Sequence, residues 1–162
     1  MRRHDPSETP EPLAGAAGYR FALIVSRFNP SVTASLRDGA RAALVQAGAA
    51  ESDIEDLQVP GAFELPQAAR CAAETGRFDA IVCLGCVIRG ETPHFEYISS
   101  AVAHGVMEAA GETGVPMAFG VLTTDTEAQA VRRSGPGRDN KGWEAAAAAV
   151  EMAILFRTLR RA

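Results

Sequence analysis

From Tyr19 onward, short apolar runs alternate with longer stretches in which apolar residues return every third or fourth position. A continuous apolar run fits a buried strand and a 3.6-residue period fits a helix, so the alternation predicts stacked strand-helix-strand units. The first run, 21–25, is apolar throughout, as a parallel strand covered on both faces requires. After Arg27-Phe28-Asn29-Pro30 a helix of about 17 residues follows, with Leu36, Ala40, Ala43 and Leu44 on one face and Gly48 as its stop. A weaker strand at 54–59 ends at Pro60-Gly61, and a helix over 65–74 stops before Gly76. The clearest strand is 80–88, interrupted only by Gly85. Thr92 as N-cap and Pro93 as first residue open a long helix whose inner stripe is Tyr97, Ile98, Ala101, Val102, Gly105 and Ala109. A fourth strand at 116–122, a short helix at about 126–133, a Gly/Pro loop at 134–139 and a last helix from Asn140 complete the pattern. That last helix is apolar around much of its circumference at Val150, Met152, Ile154, Leu155 and Phe156, which in so small a domain calls for a covering subunit.

These elements predict an α/β fold: three αβα layers around a four-stranded parallel sheet joined by right-handed crossovers. The chain has 162 residues, enough for one domain with a real core, placed at 18–162. Residues 1–17, rich in proline and acidic side chains, are expected to form a mobile tail. With 47% apolar residues and a net charge of −4, the chain offers no global attraction for nucleic acid or an anionic membrane. Its richest apolar stretch, 145–156, is broken by Glu151 and falls short of the roughly 18 to 20 apolar residues of a membrane helix. No apolar signal region opens the sequence, and an odd set of cysteines, Cys71, Cys83 and Cys86, points to a reducing cytoplasm.

In open parallel sheets ligands bind beyond the carboxyl ends of the strands, where loops and helix N-termini converge. The unusual residues of this chain fall at that edge: 27–29 after strand one, 61–64 after strand two, 89–94 after strand three and 123–125 after strand four. Gly90-Glu91-Thr92-Pro93-His94 is the most distinctive. Its glycine allows a close turn, the helix start offers N–H groups and a hydroxyl to an anion, and His94 brings an imidazole, the side-chain type suited to moving protons near neutral pH. The bland alternative is a capped helix with an incidental histidine. Phe28, in a polar loop, either stacks on a planar ligand or folds back on the core, and Glu64 either accepts ligand hydrogen bonds or is plain surface. Arg132, Arg133, Arg138 and Lys141 form a basic cluster that either clamps a phosphate or complements a helix end. Cys83 and Cys86 are spaced as C-x-x-C, but three residues apart in a strand they point to opposite faces, so neither a redox nor a metal site is expected. The glycine fingerprints of dinucleotide and P-loop sites are absent.

Together these blocks resemble the lumazine synthase family of riboflavin biosynthesis. The resemblance lies in Arg27-Phe28-Asn29, Val59 to Pro66 (VPGAFELP), Gly85 to Tyr97 (GCVIRGETPHFEY), Phe119 to Thr124 (FGVLTT) and Asn140-Lys141-Gly142, in order over residues 19–158. It implies a flavodoxin-like fold and a cofactor-free condensation of 5-amino-6-(D-ribitylamino)uracil with 3,4-dihydroxy-2-butanone 4-phosphate. Carried over by position, it implies that Phe28 stacks on the pyrimidine, that Ala62, Phe63 and Glu64 with Cys86, Val87 and Ile88 line the ring and ribityl pocket, and that Glu91 and Thr92 hold the phosphate. Arg133 would join them, with Lys141 nearby. His94 would transfer protons, and Phe119 would close the pocket from a neighbouring subunit of a homopentamer or a multiple of it. Cys86 stands where the family usually has a smaller residue, which implies an oxidation-sensitive pocket. Three rivals remain at the level of sequence. A flavin carrier of related architecture would bind flavin mononucleotide tightly, a catalytically silent shell protein would assemble without turnover, and an archaeal-type riboflavin synthase would consume a different substrate.

Overall fold

The computed structural model describes residues 13–162; residues 1–12, most of the expected tail, lie outside the described residues. Of residues 13–17, assigned to that tail from the sequence, two are packed here, and Ala14, Gly15 and Ala17 are exposed. Leu13 lies against the core, Ala16 is buried, and its amide donates to the Ala47 carbonyl at 3.0 Å.

The strands are β1 (Phe21–Ser26), β2 (Ile54–Val59), β3 (Ala80–Ile88) and β4 (Met117–Thr124), and the helices are α1 (Pro30–Gln46), α2 (Leu65–Glu74), α3 (His94–Thr113), α4 (Glu127–Arg133) and α5 (Lys141–Arg161). The sheet is parallel throughout with order β2-β1-β3-β4, so β1 and β3, the most apolar strands, lie at its centre. Every residue of β1 is buried, and β3 is buried from Ala80 to Cys86. Edge strand β2 alternates, with Ile54 and Val59 buried and Glu55, Leu57 and Gln58 partly or fully exposed.

Two differences from the expected element boundaries bear on the site. β4 runs on to Thr124, because Thr123 and Thr124 continue the ladder opposite Val87 and Ile88 and suit a pleated surface. Thr92 does not cap α3: Pro93, at φ −67° and ψ 2°, occupies the N-cap position, no side chain caps it, and the helix begins at His94. A proline ring holds φ close to its helical value, so the chain turns into the helix without a side-chain acceptor.

Helices α1 and α5 cover one face of the sheet, α2 and α3 the other. On the first face small residues, Ala40 and Ala43 of α1 with Ala145, Ala146 and Ala149 of α5, pack in one core. At Gly142 a Cβ would collide with the backbone of Leu36, so only glycine permits this helix approach. Asn140 locks the junction. Its Oδ1 accepts from the Gly142 and Trp143 amides at 2.8 and 3.2 Å, and its Nδ2 donates to the Ser35, Ser134 and Gly135 carbonyls at 3.1, 2.9 and 3.0 Å. On the outer side of α5, Met152, Leu155 and Leu159 remain exposed, as the all-round apolar pattern foreshadowed. Among the described residues no helix is long and apolar enough to cross a membrane.

Candidate active site

The carboxyl ends of β1, β2 and β3, together with the start of α3, enclose a cavity of about 360 Å³. Each wall is a strand exit. Phe28 and Asn29 follow β1, Gly61 to Glu64 follow β2, Cys86 to Ile88 end β3, and Gly90, Thr92, His94, Phe95 and Ile98 belong to the loop and helix after it.

The exit from β1 is built around Asn29, whose backbone is left-handed at φ 57° and ψ 60°, a conformation asparagine tolerates better than most residues. Its side-chain amide donates to the Cys86 carbonyl at 3.0 Å, tying β1 to β3, while its own carbonyl accepts from the Val32 and Thr33 amides and starts α1. The turn leaves Phe28 69% exposed at the cavity mouth, which removes the alternative that it folds back on the core. After β2, a single 3₁₀ turn at Ala62–Glu64 buries Ala62 and leaves Phe63 exposed. Gly61 leaves room for the carboxylate that follows: a Cβ there would come within 3.1 Å of Glu64 Oε2.

At the end of β3, Val87 and Ile88 are half-buried and Cys86 is 2% exposed. Burial pushes the Cys86 thiol up to about 11 and that of Cys83 to about 12. Both thiols thus hold their protons more tightly than a free cysteine, which lowers the share of the reactive thiolate at Cys86, a wall of the cavity. Cys83 packs in the core under α2 and α3 and Cys86 in the core under α1 and α5, on opposite faces as strand geometry demands. His94 is exposed on the first residue of α3, with Thr92 just before it and Ile98 one turn later on the same side.

Four anticipated site residues do not line this cavity within one chain. Glu91 is exposed between two lining residues, Gly90 and Thr92. Phe119 sits in the middle of β4 opposite Cys83, three positions short of the Cys86 level where the cavity begins, and is 44% exposed at the sheet edge. Arg133 ends α4, its Nη1 donating to the Gln129 carbonyl at 3.3 Å. Lys141 is held by Glu144, with Nζ to oxygen distances of 2.9 and 2.7 Å, as a helix ion pair. The sequence reading placed Asn29, Gly61 and Gly90 at this edge without making them walls, and it overlooked Phe95 and Ile98. All but Ile98 stood inside the quoted motifs, and the spacing of Ile98 four residues after His94 was the available signal for the helix face.

The family model described as 6,7-dimethyl-8-ribityllumazine synthase matches residues 18–157, which include every wall of the cavity. The chain belongs to this family. Among lumazine synthases, the chain is 53% identical over 144 residues to the 6,7-dimethyl-8-ribityllumazine synthase of Syntrophus aciditrophicus (strain SB), covering 89% of this chain and 94% of that one. It is also 53% identical over 147 residues to the protein of the same name from Desulfosudis oleivorans (strain DSM 6200 / JCM 39069 / Hxd3), covering 91% and 94%. The lumazine synthase match thus runs through both sheet faces and the carboxyl edge.

Proposed function

We propose that this chain condenses 5-amino-6-(D-ribitylamino)uracil with 3,4-dihydroxy-2-butanone 4-phosphate to 6,7-dimethyl-8-ribityllumazine, a transferase reaction and the penultimate step of riboflavin biosynthesis. The observation that carries the reading is the meeting of Phe28, Glu64 and His94 around one cavity beside the start of α3.

The chemistry divides into three stages. The 5-amino nitrogen attacks the ketone carbon and, after proton transfer, water leaves to give an imine. Loss of a proton from C3 then expels phosphate from C4, and the resulting enol becomes a ketone bearing a methyl group. Finally the ribityl-substituted nitrogen attacks that ketone and a second water leaves as the ring closes. One phosphate and two waters balance the atoms, with no oxidant or reductant required. Each stage moves protons between nitrogen, carbon and oxygen, which an imidazole does well near neutral pH.

Phe28 stacks on the pyrimidine, and Ala62, Phe63, Glu64, Cys86, Val87 and Ile88 surround the ring and ribityl chain, Glu64 accepting from its hydroxyls. The phosphate rests at the start of α3, where the first helical amides have no intrahelical acceptor, beside Glu91 and Thr92. His94 shuttles the protons. Holding both substrates in register supplies much of the rate, since proximity is worth about 7 to 11 kcal/mol in favourable cases.

Phe119, Arg133 and Lys141 complete the site from a neighbouring copy in a homopentamer or a multiple of it. Their distance from the cavity of their own chain and the exposed apolar side of α5 support this arrangement. A cytoplasmic location fits three free cysteines, two of them buried and protonated.

The test is to mix the purified protein with both substrates and follow lumazine absorbance and phosphate release. Equimolar appearance of the two is expected, and the absence of lumazine defeats the reading. His94→Ala is expected to lower turnover by roughly 10- to 1000-fold, within the usual reach of acid-base catalysis. Undiminished turnover removes the role given to His94.

A further inference from the structure

The loop between β3 and α3, residues 89–93, has no helical or strand pairing of its own, yet it delivers His94 to the cavity. Arg89 spans it. Its backbone amide donates to the Thr124 carbonyl at the end of β4 at 2.9 Å, and its Nε donates to Asp125 Oδ1 at 2.8 Å. From the same guanidinium, Nη1 donates to Glu96 in the first turn of α3, and the guanidinium lies 4.4 Å from the centroid of the Phe95 ring. Phe95 is itself a wall of the cavity and the next residue after His94. One side chain therefore joins the entry of the loop, the end of a neighbouring strand and the helix turn at the loop's exit.

We propose that Arg89 is a positioning residue for the condensation: it holds the first turn of α3, and with it His94, in register with the ends of β3 and β4. The inference rests on the proton-transfer role given to His94 above. A plain surface ion pair is the competing explanation, because the side chains of Arg89, Glu96 and Asp125 are 44%, 58% and 64% exposed and such pairs add little to stability. Three simultaneous uses of one group set this arrangement apart: two edges of the guanidinium donate to carboxylates on different elements while its face covers an aromatic ring. A lysine ammonium has neither the second edge nor the face. Small stability and precise placement are compatible, since a displacement of about 1 Å at a reacting group can cost about 100-fold in rate.

The test compares Arg89→Met and Arg89→Lys in the full chain with both substrates, each variant made alone and in the His94→Ala background. Arg89→Met is expected to lower kcat by about 10- to 100-fold with a melting midpoint within a few degrees of the parent, and Arg89→Lys to recover only part of the loss. In the His94→Ala background, Arg89→Met is expected to add less than about a twofold further loss, because residues acting through one another are not additive. The inference is overturned by full turnover in Arg89→Met or Arg89→Lys, or by an equal loss with and without His94. Those outcomes leave the His94 assignment standing if His94→Ala alone is slow. A His94→Ala enzyme as fast as the parent overturns that assignment, and this inference with it.

Discussion

The two faces of the sheet are built in opposite ways. Between α1 and α5 the packing is tight, with alanines packed in one core, a glycine pressed on the backbone of Leu36 and Asn140 satisfying five partners at the corner. Beneath α2 and α3 the core is smaller, and at the carboxyl ends of the strands, where Cys86 and Val87 of the two cores meet, a cavity opens with Phe28 and Phe63 standing in solvent at its mouth. The difference shows how one small domain reconciles order with access. The tightly packed helix pair stabilises the sheet, so its carboxyl edge can leave apolar surface uncovered.

The contrast makes the two faces separable by substitution. The largest effect is expected at the tightly packed side: Gly142→Val drives a branched side chain into backbone that has no rotamer to yield. Overpacking of this kind costs about 3 kcal/mol or more, which for a chain of this size lowers the melting midpoint by about 6 to 12 °C. Calorimetry showing an unshifted midpoint would mean that the α1 to α5 junction is looser than described. On the open side the pattern should invert. Phe28→Ala removes an exposed ring, so the melting midpoint should stay within about 1 °C, whereas KM for the pyrimidine should rise about tenfold for the lost stacking. Equal KM values in the two proteins would dissociate the aromatic plate from binding.

The smallest effect concerns the cysteines. Iodoacetamide at pH 8 should label exposed Cys71 and spare Cys83 and Cys86, giving one adduct per chain by mass spectrometry. A second adduct at Cys86 under native conditions would show that the end of β3 opens more readily than its burial implies. The same burial has a pH signature. The native thiols keep their protons to about 11 and about 12, whereas unfolded thiols lose them near 9.0. The unfolded chain therefore binds fewer protons above about pH 9, and these two groups withdraw stability as pH rises from there towards 11 and 12.

Much of this architecture was readable in the sequence. The central strands are continuous apolar runs, and each helix carries a periodic stripe, so the parallel sheet and its carboxyl edge followed from pattern alone. What escaped had physical causes. Thr92 has the chemistry of a cap, but the ring of Pro93 already sets the backbone and no cap is made. Thr123 and Thr124 read as loop because they are polar, although β-branching suits them to the ladder they join. Phe95 and Ile98 are half-buried, so a helical stripe does not reveal that part of their surface faces a cavity. Phe119, Arg133 and Lys141 do not line the cavity of their own chain, which their order along the sequence could not show because it carries no distances.

The strand order has a temporal consequence. β1 is made first on the ribosome but lies between β2 and β3, and the cavity walls extend from Phe28 to Ile98. Since α1 and α2 intervene before those exits can meet, a nascent chain has no binding crevice until well over half of it has been translated. The crevice is thus a property of the chain through β3 and the start of α3, and no shorter fragment can form it.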